Sequence, residues 1–117
     1  GAVLMHMGSL ATAGHHARDN FFHAVFNNGV HDSVGGQPTS IGSVDVPAVA
    51  LAAGYRSAVR IDSLADIPGA IARARSGGGP SLVEIRVRPG SRPDLGRPTR
   101  TPRESLEAFT RSVAGAE

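Results

Sequence analysis

An α/β three-layer sandwich, with helices over both faces of a parallel sheet, is the architecture this chain calls for. Three observations lead there. Segments of helical and strand character alternate along the chain, the pattern of parallel strands joined by helical crossovers. The hydrophobic 40% is nearly all Ala, Val, Leu and Ile, because aromatic residues supply only 4% and Trp is absent. The length of 117 residues suits one domain around one core.

Taken in order, residues 2–17 favour a helix whose first part is rich in small residues, broken by Asp19-Asn20. Phe21 to Phe26 is a short apolar, β-favouring run that ends on Asn27-Asn28-Gly29, a buried strand running into a turn. Residues 29–44 hold five glycine or proline residues with Ser and Thr between them and no periodicity. This predicts a long irregular loop, and such loops in compact domains are usually functional. Asp45 is placed to cap a helix with Pro47 in its first turn, ending at Gly54. Arg56 to Ile61 alternates as a strand. Ser63 is expected to cap a helix to about Arg75 with Leu64, Ile67, Ile71 and Ala74 on one face. Ser76 to Pro80 ends it, and Ser81 to Val87 reads as a strand. An irregular Pro/Gly/Arg segment, 89–102, leads to a capping box at Thr101 and Glu104, which opens a last helix to about Ala114.

Composition removes several classes of chemistry. The chain has no Cys, hence no disulfide framework, thiolate nucleophile or cysteine zinc site. It has no Lys, hence no Schiff base and no Walker-type phosphate loop. No apolar run is long enough for a membrane-spanning helix. Net charge is +2, and seven of the 12 Arg stand at or beyond Arg86 against four acids. That basic tail carries Pro and Gly with Phe109 as its aromatic, not the basic and aromatic interleaving of a nucleic-acid surface. The segment 86–103 can pack along the domain and reach a neighbour, or be solvated surface. The chain opens at Gly1 on an apolar run, Ala2 to Met5, without an initiating Met. This reads as a piece of a longer chain with a strand just upstream.

All five His lie in the first 31 residues. His15 and His16 are adjacent and so point to different sides, which suits surface residues better than metal ligands. His23, in mid-strand, is expected to be satisfied within the core. Asn27-Asn28-Gly29 has two readings. One is a tight turn, although the loop that follows supplies no immediate return strand. The other is a metal or phosphate site, since ligands of parallel sheets sit beyond the C-terminal ends of strands. An Asn side-chain oxygen and a nearby carbonyl are hard donors suited to Mg²⁺.

Three segments carry a resemblance: Leu4–Thr12 (LMHMGSLAT), Asn27–Thr39 (NNGVHDSVGGQPT) and Leu95–Glu104 (LGRPTRTPRE). Together with Gly1-Ala2 and the Asn27-Asn28 pair that follows about 26 residues later, they resemble the phosphonopyruvate decarboxylase family. The part matched is its C-terminal thiamine-diphosphate-binding domain, here residues 1–117 without its first strand. The resemblance implies thiamine diphosphate and Mg²⁺ as cofactors. It implies that Gly1 and Ala2 meet the diphosphate through their backbone, at a strand-to-helix turn of the kind that binds anions. It assigns the Asn28 side chain and the Val30 carbonyl to the metal, and puts the remaining aspartate ligand just before Gly1. His31 and Asp32 fall where the loop would contact substrate or cofactor, and no catalytic residue is assigned. The implied reaction is decarboxylation of a 2-keto acid bearing a phosphonate, giving phosphonoacetaldehyde for phosphonate biosynthesis. The activating Glu belongs to an N-terminal pyrimidine-binding domain, normally of a partner subunit in a homo-oligomer. Glu84 and Glu104 read as structural, so the chain alone is expected not to turn over. Apolar surface should be left exposed where the remaining domains would pack. Cofactor and family favour the cytoplasm, with neither nucleic acid nor membrane as partner. A sulfopyruvate-type decarboxylase and a non-catalytic remnant or assembly domain are the competing readings.

Overall fold

The structure is a computed structural model that describes residues 1–115; Ala116 and Glu117, included in the domain assignment 1–117, lie outside the described residues. Three parallel strands form the sheet in the order β1 (Phe22–Asn27), β5 (Ser81–Arg86), β4 (Ser57–Ile61). In register, Val25 and Arg60 both lie beside Glu84, and Asn27 lies beside Arg86. Both crossovers are helical, as parallel connections require.

The central strand β5 is buried along most of its length, so its Ser-Leu-Val-Glu-Ile sequence must satisfy two interiors at once. Leu82 and Glu84 face one layer, Val83 and Ile85 the other, by the two-residue period of a strand. The first layer is α2 (Gly8–His16) and α3 (Val46–Ala52). There Leu10, Val25, Val46, Ala50, Tyr55 and Leu82 form the larger core. The second layer is α4 (Ile67–Ser76), whose Ala70 and Ala74 pack with Ile61 and Val83. This is the three-layer sandwich expected. Helix α4 lies over β4 and β5. Phe22 and Phe26, on the same face of β1, therefore stay 38% and 68% exposed.

Capping follows the sequence. The Asp45 carboxylate accepts from the Ala48 amide at 3.4 Å to open α3. Thr101 and Glu104 close a complete capping box on α5 (Pro102–Ala114). The Thr101 amide donates to Glu104 Oε2 at 2.7 Å, and this bond holds the Glu104 carboxyl below its ordinary range. No residue of α5 is buried, and every residue from Arg86 to Glu107 is exposed in this single chain.

Four expectations need correction. Strand β1 is an edge strand in which Val25 is the one buried residue, not a buried strand. Residues 2–17 form two helices, α1 (Ala2–Met5) and α2, not one. The Ser9 hydroxyl donates to the His6 carbonyl at 2.6 Å and diverts it from the helix ladder. Residues 29–44 are not structureless. Val30–His31 (β2) pairs antiparallel with Gln37–Pro38 (β3), followed by a 3-10 turn at Ser40–Ser43. Gly35 and Gly36, both at positive φ, fold the connection back so that the Gly36 amide reaches the His31 carbonyl at 2.9 Å. Leu64 is not on the core face of α4. It sits in a preceding 3-10 turn, Leu64–Asp66, capped by Ser63, and is 84% exposed. The tighter turn rotates it out of the α-helical register.

Candidate functional site

The C-terminal ends of β1 and β5 open into two adjoining clefts of about 200 and 320 Å³ that share Asn27, Asn28, Gly29, Thr39 and Ile41. Gly1 and Ala2 line the smaller one, so the first turn of the chain and the Asn-Asn turn meet although 26 residues separate them. A side chain at position 1 would strike the His31 ring, since a Cβ there would stand 2.6 Å from Nδ1. A larger cleft, about 470 Å³, lies at the opposite end of the sheet beside Asp19 and Phe22, where strands of this kind do not ordinarily present ligands.

The turn is built by side chains acting on its own backbone. Asn27 Oδ1 accepts from the Gly29 amide at 3.0 Å, and Asn28 Oδ1 accepts from the Val30 amide at 3.2 Å. Gly29 has φ +74°, a conformation costly for any residue with a Cβ. Its carbonyl receives the Thr39 amide at 2.8 Å and the Thr39 hydroxyl at 3.0 Å. Because Gly29 and Thr39 are bonded to each other, the next pair, Val30 and Pro38, is the non-bonded one of an antiparallel ladder. The Val30 peptide groups therefore turn away from β3, toward the edge where the Asn28 side chain already meets the Val30 amide.

Of the residues singled out by sequence, Gly1, Ala2 and Asn28 line one cleft and His31 abuts Gly1. Val30 is not among the lining residues but follows directly on the turn. Asp32 is committed to the fold of the loop. Its Oδ2 accepts from the Asn28 side-chain amide at 2.7 Å and from the Gly90 amide at 2.9 Å, tying the turn to the segment after β5. Among the described residues no three His, Cys, Asp or Glu side chains gather as metal ligands. His15 and His16 are exposed.

Two features of the site floor escaped the sequence. His23 Nδ1 lies 3.0 Å from the Tyr55 hydroxyl. Burial lowers the His23 pKa and raises that of Tyr55, because each loses hydration of its charged form. Glu84 is fully buried. Its Oε2 accepts from Arg60 Nε at 2.7 Å and its Oε1 from Asn27 Nδ2 at 2.6 Å. The bond to Glu84 raises the Arg60 pKa further. A charge within the apolar run Leu82 to Ile85, on the Leu82 face, was the available signal.

The oxygen donors fit a hard divalent cation. Asn28 Oδ1 keeps a lone pair beyond its bond to the Val30 amide, and Val30 contributes a carbonyl on the same edge. The smaller strand-end cleft is bordered by Gly1 and by the Asn-Asn turn.

Comparison with known proteins identifies the family. Residues 1–85 match the model of the family "Thiamine pyrophosphate enzyme, C-terminal TPP binding domain". Over 109 residues, 93% of this chain, the sequence is 52% identical to a phosphonopyruvate decarboxylase of Streptomyces viridochromogenes and 48% identical to one of Streptomyces hygroscopicus. The chain spans 28% and 27% of the lengths of those two relatives. No helix among the described residues is long and apolar enough to cross a membrane. With well over half its length matched, the chain belongs to the C-terminal TPP binding domain family of thiamine pyrophosphate enzymes.

Proposed function

We propose that this chain provides the diphosphate and Mg²⁺ half of the cofactor site in a thiamine-diphosphate-dependent decarboxylase that converts phosphonopyruvate to phosphonoacetaldehyde and CO₂. The observation that carries this reading is the meeting, in one strand-end cleft, of Gly1-Ala2 with the Asn28 turn. The two Streptomyces relatives point to the substrate. In this reading Asn28 Oδ1 and the Val30 carbonyl hold the metal, and the peptide groups of Gly1 and Ala2 border the diphosphate. When bound, the cofactor supplies the carbon nucleophile and electron sink that let a 2-keto acid lose CO₂.

This chain's own residues bind and orient. Asp32 keeps the Asn28 side-chain amide turned so that its oxygen faces the cleft edge. His31, half-buried against Gly1, stands where the loop would meet the substrate or the cofactor. Among the described residues, Glu84 serves Arg60 and Asn27, Glu104 serves its cap, and Glu107 pairs with Arg103. In this reading the group that activates the cofactor belongs to a pyrimidine-binding domain in a homo-oligomer of the whole protein. The cofactor's own distribution favours the cytoplasm.

A substrate panel tests the activity. The protein carrying this chain together with its remaining domains, given thiamine diphosphate and Mg²⁺, should release CO₂ from phosphonopyruvate well ahead of sulfopyruvate. Preference for sulfopyruvate would overturn the substrate, and release from neither would overturn the enzyme reading.

A further inference from the structure

We infer that Glu84 is a positioning residue for the metal-holding turn: through Asn27 it fixes the backbone from Asn27 to Val30, and so aims Asn28 Oδ1 and the Val30 carbonyl. The inference rests on the assignment of those two oxygens to Mg²⁺ made above.

Three observations carry it. Glu84 sits on the central strand at 0% exposure, and a buried carboxylate is tolerated only when its oxygens are met by donors. Each oxygen has one: Arg60 Nε on Oε2 and Asn27 Nδ2 on Oε1. A buried ion pair is a poor device for stability, since apolar residues of the same volume commonly do as well. Its effect here is geometric.

The bonds run in one direction toward the site. Arg60 is held by Glu84 and, at 3.4 Å, by the Asp45 carboxylate that caps α3. Glu84 holds the side-chain amide of Asn27, which leaves Asn27 Oδ1 to take the Gly29 amide. Gly29 in turn is pinned through its carbonyl by Thr39. The two adjacent asparagines thus divide the work: Asn27 ties the turn inward to β5, while Asn28 carries the outward oxygen. The turn is referenced to β5, β4 and α3 together.

Replacing Glu84 by Gln keeps the shape and the Arg60 acceptor but presents an NH₂ group to the Asn27 NH₂ group. If Asn27 flips to accept, it loses the Gly29 amide. Adding Asn27→Asp repairs this. The introduced carboxylate would accept from the introduced glutamine NH₂ with one oxygen and from the Gly29 amide with the other. The glutamine oxygen would still serve Arg60.

The test is thiamine diphosphate binding to the whole protein by calorimetry, titrated in Mg²⁺, with melting curves of the cofactor-free forms. Groups that orient metal ligands typically change affinity by about ten- to a hundredfold when removed. Glu84→Gln should raise the Mg²⁺ requirement by about tenfold or more, and Glu84→Gln/Asn27→Asp should restore most of it. Asn27→Ala keeps the Glu84–Arg60 pair but leaves Glu84 Oε1 without its donor, so it should lose Mg²⁺ affinity to the same degree and melt somewhat below the wild type while still folding. That variant decides the matter if Glu84→Gln folds poorly. A wild-type Mg²⁺ requirement in Asn27→Ala, or a double variant no better than Glu84→Gln, would overturn the inference while leaving the half-site reading intact. Absence of Mg²⁺-dependent binding by the wild type would overturn both.

Discussion

His23 shows how a single side chain at the site floor ties the fold to pH. Its pKa is lowered from 6.5 by burial, so the folded state favours the neutral ring that meets the Tyr55 hydroxyl. Near and below pH 6.5 the unfolded chain then binds the extra proton, and stability rises with pH. The contribution is complete above the unfolded pKa and is lost as pH falls through the folded one. The urea midpoint should therefore drop between about pH 7.5 and about pH 5.5, and His23→Gln should flatten that drop. An unchanged pH dependence in the variant would rule out His23 as its source. The ring's burial is legible from its place in mid-strand. Its partner is not, because Tyr55 stands 32 residues away and nothing in either segment pairs them. The partners of Glu84 are hidden for the same reason. A carboxylate in an apolar strand announces that it has partners without naming them: register sets Arg60 beside it, and Asn27 lies two residues beyond its β1 neighbour Val25 on the same face.

At the scale of elements, local chemistry is readable from sequence and medium-range geometry is not. Asp45, Thr101 and Glu104 cap where their spacing says they should, since a cap is decided within four residues. The 29–44 segment reads as irregular because its strands are two residues each, too short for a period-two pattern to register. Its place along the strand-end clefts is nonetheless legible from its position after β1. Packing of α2 on α3 depends on Gly14, where a Cβ would collide with the Ala53 carbonyl. Gly14→Val should lower the melting point by an amount corresponding to about 1–3 kcal/mol of overpacking. Thr101→Ala, which removes the cap of a helix with no buried residue, should leave the main transition in place and speed amide exchange in α5 alone. Equal shifts in the main transition for both variants would refute this division between core and satellite helix.

At the scale of the whole molecule, the three strands place the Asn-Asn turn beyond the end of β1, next to the central strand and within reach of Gly1. Apolar side chains remain uncovered at Phe22 and Phe26 of β1 and along Leu106, Phe109 and Val113 of α5, in keeping with the exposed apolar surface expected of a domain that works beside others. What makes the arrangement a candidate cofactor site is the set of oxygens turned to one edge, with no side chain at position 1 to fill the cleft. The most direct test is calorimetric binding of thiamine diphosphate to the whole protein in Mg²⁺, in chelator, and in Asn28→Ala. Binding should require the divalent cation and should weaken by about tenfold or more when Asn28 loses its oxygen. Binding of equal strength in chelator, or in Asn28→Ala, would contradict the assignment of this turn to the metal.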